Sequence, residues 1–128
     1  MKKLFEGLEE NDIVVTGNGS ACVVSFQAAE IKKGQRLFTN SGCASMGYGL
    51  PAALGACIAE GEKRVICLDG DGSLMMNLQE LQTIRYNNCN MKLFVLNNNG
   101  YHSIRQTQNN LFKNGLVGVC DEIGRAHV

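Results

Sequence analysis

Short apolar runs that break off into small, polar, glycine-bearing loops constrain this chain more than any other feature. Asp12–Thr16 (DIVVT), Arg64–Leu68 (RVICL) and Lys92–Leu96 (KLFVL) are nearly continuous in apolar side chains, and Arg36–Thr39 (RLFT) is a weaker fourth. Runs of this length without alternation suit strands covered on both faces. Helical periodicity fills the intervals: Leu50, Leu54, Cys57 and Ile58 share one face, and Leu74, Leu78, Leu81 and Ile84 share another. Pro51 falls in a first helical turn, and Ser20 is placed to cap a helix over residues 23–29. Strands and helices in alternation predict an α/β domain, a parallel β-sheet flanked by helices on both faces and wound by right-handed crossovers.

In such sheets ligands bind beyond the carboxyl ends of the strands. The segments found there are Gly17-Asn18-Gly19-Ser20, Asn40-Ser41-Gly42, Asp69-Gly70-Asp71-Gly72-Ser73 and Asn97-Asn98-Asn99-Gly100. They account for much of an unusual glycine content: 15 glycines in 128 residues, against one proline. Charge excludes other partners, because 12 Lys+Arg balance 12 Asp+Glu. Such a balance offers no electrostatic grip on nucleic acid or on an anionic membrane surface. No apolar run approaches the roughly 18 residues of a membrane span, and residues 1–10 lack the apolar core of a signal peptide, so a cytoplasmic location is expected. The six cysteines form no CxxC pair and are read as reduced, with Cys57 and Cys67 acting as small core hydrophobes.

Two loops carry readable chemistry. Gly17-x-Gly19 between a strand and a helix suggests a dinucleotide site, but its third position is Cys22 and the second strand ends at Asn40 with no acid for a ribose. A plain turn, or contact with another phosphate, remains open, as does a non-catalytic nucleotide-binding module. Asp71 and Asn98 end up beyond two consecutive parallel strands, where a carboxylate and an amide oxygen can meet. With a loop carbonyl such as that of Gly100, they make half of an octahedral Mg²⁺ shell, leaving the other half to phosphate and water.

Gly70-Asp71-Gly72-Ser73, followed one helix and one strand later by Asn97-Asn98, resembles the fingerprint of thiamine diphosphate enzymes. The block Ser45-Met46-Gly47-Tyr48-Gly49-Leu50-Pro51-Ala52-Ala53, and Leu74-Met75-Met76 with Gln79-Glu80-Leu81, resemble the diphosphate-binding C-terminal domain of the acetolactate synthase-like family. The resemblance implies that Asp71, Asn98 and the Gly100 carbonyl ligate Mg²⁺, while Gly70, Gly72 and Ser73 lie against the diphosphate. Asn18, Gly19, Ser20 and Ala21 match the family's first phosphate loop. Ala44 matches the carbonyl that receives the pyrimidine amino group, with Ser45 beside it. Met46 matches the bulky residue that wedges the cofactor into a bent shape, and Tyr101 falls in the same cofactor-contacting stretch. Glu80 is read as structural.

The implied activity is decarboxylation of a 2-keto acid and transfer of the resulting two-carbon unit, with a related decarboxylase or lyase as the alternative. The resemblance assigns no catalytic side chain to this chain. The activating glutamate is expected on a separate pyrimidine-binding domain, normally from a second subunit of a homodimer or homotetramer, so this chain alone is expected to be inactive. FAD on a further domain of the full-length enzyme stays open. His102 and Arg105 are within reach of an anionic substrate or belong to a solvated helix face. The chain has no tryptophan, unlike many acetolactate synthases near this point, which suggests a different pocket. The domain is expected over residues 1–121, incomplete at its carboxyl end. Residues 122–128 (EIGRAHV) are expected to be non-native, since one frame of a common sequencing adapter encodes them.

Overall fold

The computed structural model describes residues 1–61, 63–112 and 115–119, so the boundary at 121, the tail at 122–128 and Cys120 lie outside the described residues. Four strands, β1 (Ile13–Thr16), β2 (Arg36–Thr39), β3 (Val65–Gly70) and β4 (Met91–Leu96), form one sheet in the order β2-β1-β3-β4. Every pairing is parallel, with Ile13 in register with Arg36 and with Val65, and Val65 with Met91. The helices are α1 (Lys2–Glu6), α2 (Ser20–Ala28), α3 (Gly49–Glu60), α4 (Asp71–Leu74), α5 (Glu80–Tyr86) and α6 (His102–Leu111).

The strand residues sort themselves by parity, as a pleated sheet requires. Val14, Ile66 and Leu68 pack with Phe5, Leu8 and Ala21 on one face. Ile13, Val15, Val65 and Cys67 pack with Ala53 and Cys57 on the other. Helices α1 and α2 therefore cover one face and α3 the opposite one, which is the two-sided cover that continuous apolar strands call for. Helix α1 was not foreseen, and Phe5, 2% exposed, is what fixes it to the sheet.

Four local expectations need correction. Ser20 does not cap α2 but is its first residue; Gly19, at φ 61°, occupies the capping position without a side-chain bond. Leu74 to Ile84 do not share one helix face, because α4 passes into a 3-10 turn over Met75–Asn77 before α5 begins. The Asn77 amide donates to the Gly47 carbonyl at 2.7 Å, drawing this stretch toward the Gly47 loop, and Leu78 and Leu81 stay 39% exposed. Ile58 is also exposed, while Leu50, Leu54 and Cys57 are buried. Finally, β4 is not covered on both faces: β3 is its one neighbour among the described residues, and Phe94 and Val95 remain more than 40% exposed.

Candidate functional site

From β1 the chain reaches β2 on one side, and β3 with β4 lie on the other. The loops leaving β1 and β3 thus diverge and open a crevice at the carboxyl edge, the usual ligand position of a doubly wound sheet. A cleft of about 180 Å³ lies there. The first loop lines it with Asn18, Gly19, Ser20 and Ala21, and the second with Gly70, Asp71, Gly72 and Ser73. Leu96, Asn98, Gly100 and Tyr101 supply the third wall, and His102, Ser103 and Ile104 continue it into α6. Met46 completes it at 36% exposure, so it is no ordinary core methionine. Enclosing pockets for small molecules run to roughly 300–1,000 Å³, so this cleft has the dimensions of part of a site.

Asp71 and Asn98 do converge. The Gly100 N–H donates to Asp71 Oδ2 at 2.9 Å, and the Asn98 N–H reaches Asp71 Oδ1 at 3.4 Å. One terminal atom of the Asn98 amide lies 3.3 Å from Asp71 Oδ1 and 2.7 Å from the Gly100 carbonyl oxygen. If that atom is the amide nitrogen, it donates to both. If it is the oxygen, it stands from each of two other oxygens at a spacing close to the roughly 3 Å edge of an octahedron with metal–oxygen bonds of about 2.1 Å. Amide orientation is set by the hydrogen-bonding surroundings. The cluster therefore suits a small hard cation with the amide turned one way, and closes on itself by hydrogen bonds with it turned the other. The donors fit Mg²⁺ in kind as well as in spacing.

Close backbone approach explains the glycines here. A Cβ on Gly72 would sit 2.7 Å from the Tyr101 ring and 3.2 Å from the Gly100 carbonyl, so any side chain would push the loop after β4 away. The Gly47 N–H donates to the Ser73 hydroxyl at 2.9 Å, and Ser73 is only 4% exposed. That bond ties the start of α4 to the Gly47 loop. Ala44 and Ser45 are not among the lining residues. The Ala44 carbonyl already accepts the Asn18 amide at 2.9 Å, and the Ser45 hydroxyl accepts the Asn40 amide at 3.3 Å.

Two residues do something other than the sequence reading gave them. Asp69 belongs to β3 and is fully buried. Its carboxyl accepts the Gly70 N–H at 2.9 Å, while Oδ2 has no hydrogen-bond partner among the described residues. Burial pushes this carboxyl above its ordinary range, partly offset by the Ser73 side chain and the Gly70 N–H. A Cβ on Gly17 would lie 1.9 Å from Asp69 Oδ1, and one on Gly49 would lie 2.6 Å from Oδ2. Gly17 is thus needed to admit Asp69, which accounts for the first glycine of Gly17-x-Gly19, while Gly19 takes φ 61° at the cleft wall. Arg105 is the second: its two terminal nitrogens donate to the carbonyls of Asn99 and Asn98 at 2.7 and 2.5 Å. It is not among the cleft-lining residues, and on a helix with no buried residue it is half-buried.

Fold and site together define a parallel α/β domain with a cleft walled by glycine-bearing polar loops at its switch point. The model of the "Thiamine pyrophosphate enzyme, C-terminal TPP binding domain" matches residues 17–126, and the chain belongs to that family. Its relatives include "Acetolactate synthase isozyme 1 large subunit" of Escherichia coli (strain K12), 35% identical over 85% of this chain and 19% of the relative. "Acetolactate synthase, chloroplastic" of Arabidopsis thaliana is 37% identical over 88% of this chain and 17% of the relative. "Acetolactate synthase 2, chloroplastic" of Zea mays is 39% identical over 79% and 16%. The chain is therefore a thiamine diphosphate-binding domain of the acetolactate synthase-like kind, spanning less than a fifth of the length of these relatives. No helix among the described residues is long and apolar enough to cross a membrane.

Proposed function

We propose that this chain holds Mg²⁺ and the diphosphate of thiamine diphosphate within an acetolactate synthase-like enzyme that decarboxylates a 2-keto acid and transfers the two-carbon unit. The observation that carries the proposal is the meeting of Asp71 Oδ1, the Asn98 amide and the Gly100 carbonyl across 2.7–3.3 Å at the head of the cleft. Asp71, Asn98 and Gly100 supply three oxygens to the cation. The backbones of Gly72 and Ser73, and the Asn18–Ala21 loop opposite, present N–H groups to the diphosphate. Met46 stands exposed on the cleft wall, where a bulky side chain dictates the shape of what lies across it.

Bound thiamine diphosphate supplies a nucleophilic carbon and an electron sink for decarboxylation of the keto acid. The residues of this chain bind and orient it. The acid that activates the pyrimidine is a glutamate of a pyrimidine-binding domain on a second subunit, which is why the cleft seen here is one wall of a shared site. The relatives' names favour acetolactate chemistry over a simple decarboxylase.

Calorimetric titration of the full-length protein with thiamine diphosphate, with Mg²⁺ and with EDTA, tests the reading. Binding is expected only with the divalent ion, and it disappears in Asp71→Asn. Equal affinity in EDTA, or an unaffected D71N, refutes it.

A further inference from the structure

We propose that Arg105 is the positioning residue of the cation loop, selecting which backbone carbonyl is presented to the metal. The inference rests on the cation reading above. Asn99 at φ 63° and Gly100 at φ 107° turn the chain back on itself, a conformation these two residue types accept readily. Backbone preference alone therefore does not decide which carbonyl the loop presents. One corner is held locally, by the Asn99 N–H on the Asn97 side-chain oxygen at 3.0 Å, and another by Asp71 through the Gly100 N–H. At the middle of the loop the carbonyls of Asn98 and Asn99 stand next to each other, and the Arg105 fork takes both.

Arg105 is itself fixed. It stands in the first turn of α6, its backbone N–H bonded to the Tyr101 carbonyl at 3.0 Å. A planar guanidinium can hold two adjacent carbonyls at once, which a lysine ammonium on a flexible stem does poorly. With two of the loop's carbonyls turned to the arginine, Gly100's is the one left facing Asp71 and the Asn98 amide. The same geometry removes Arg105 from substrate recognition, since both terminal nitrogens point at backbone and the side chain is absent from the cleft lining.

The test measures Mn²⁺ affinity by electron paramagnetic resonance, on the full-length protein at saturating thiamine diphosphate, for the wild type, R105M, R105K and D71N. R105M is expected to weaken Mn²⁺ binding about tenfold, the equivalent of one charge-assisted hydrogen bond, and R105K to fall between. Excess Mg²⁺ should restore turnover in R105M with KM for the keto acid unchanged. Unaltered Mn²⁺ affinity in folded R105M overturns the proposal, and so does a raised KM at saturating Mg²⁺, which would make Arg105 a substrate anchor. If R105M fails to fold, R105Q is read in its place against the same criteria. A wild type that binds no Mn²⁺ refutes the cation site itself. Binding that D71N destroys and R105M leaves intact refutes only the role of the arginine.

Discussion

At the amino end of the sheet, Asp12 is 3% exposed and meets Arg64 through a two-pronged ion pair, Nε to Oδ1 at 2.9 Å and the terminal nitrogen to Oδ2 at 2.5 Å. At the carboxyl end, Asp69 is equally buried, but the groups around it are glycine backbone, Ser73 and the Gly70 N–H. Asp71, two residues on, is gripped by loop N–H groups. One end satisfies its acid chiefly with a cationic side chain that precedes another strand, beside the local Glu9 N–H at 2.7 Å. The other end uses the backbones of several loops, which have to be in place together. The first arrangement is local to one pair of residues, whereas the second makes the position of each acid depend on the loops that wall the cleft.

The sharpest test of this contrast is a substitution that harms one end alone. Asp71→Asn is expected to weaken Mg²⁺-dependent thiamine diphosphate binding at least 1,000-fold, or about 4 kcal/mol, in calorimetry. Its thermal midpoint without ligand should stay within a few degrees of the wild type. Arg64→Met is the converse. It leaves Asp12 buried without its ion-pair partner, which costs about 3 kcal/mol, to be read from urea unfolding, while cofactor affinity in the folded protein is unchanged. A cofactor defect in R64M would mean that the two ends are coupled through β1 and β3.

Backbone dependence at the carboxyl end predicts a smaller, coupled effect. Gly17→Ala forces a methyl into the place of an Asp69 oxygen and should destabilise by about 2 kcal/mol. Asp69→Ala makes room, so the double variant should recover part of that loss in a double-mutant cycle. Strict additivity would show that Gly17 is required for its own conformation and not for Asp69.

These pairs also mark what the sequence could and could not reveal. The strands, the two-sided cover and the loops carrying Asp71, Asn98 and Gly100 were legible because each is signalled locally, by an apolar run ending in glycine and a polar side chain. Asp69 was read as part of a loop because its burial depends on Gly17 and Gly49, both distant in sequence. Arg105 was ambiguous, since nothing in helical periodicity says that its fork reaches back to residues 98 and 99. The break between α4 and α5 was invisible for the same reason: it follows from Asn77 bonding to Gly47, a contact 30 residues apart. Asp12 and Arg64 lie 52 residues apart and meet only because β1 and β3 pair.

Between the two ends lies a stretch of sheet that should respond to neither ligand nor salt. Burial pushes the Cys67 thiol up to about 12, with the charge of Asp69 adding to it, and pushes Cys57 up to about 12, with Cys89 adding. Both thiols therefore stay protonated in the folded protein at a pH where an unfolded chain ionises them. Above the ordinary thiol value of 9.0 and up to about 12, the folded state binds more protons, so stability falls as pH rises. Each thiol contributes a slope of about 1.4 kcal/mol per pH unit. Replacing both by alanine should flatten that limb in urea unfolding followed at pH 9 and 10. Thiol labelling at pH 8 gives the independent check: exposed Cys43 reacts in the native protein, whereas Cys57 and Cys67 react only on unfolding. Native-state labelling of Cys67 would mean that the sheet opens next to Asp69, and that the carboxyl end is held less firmly than its buried carboxylate implies.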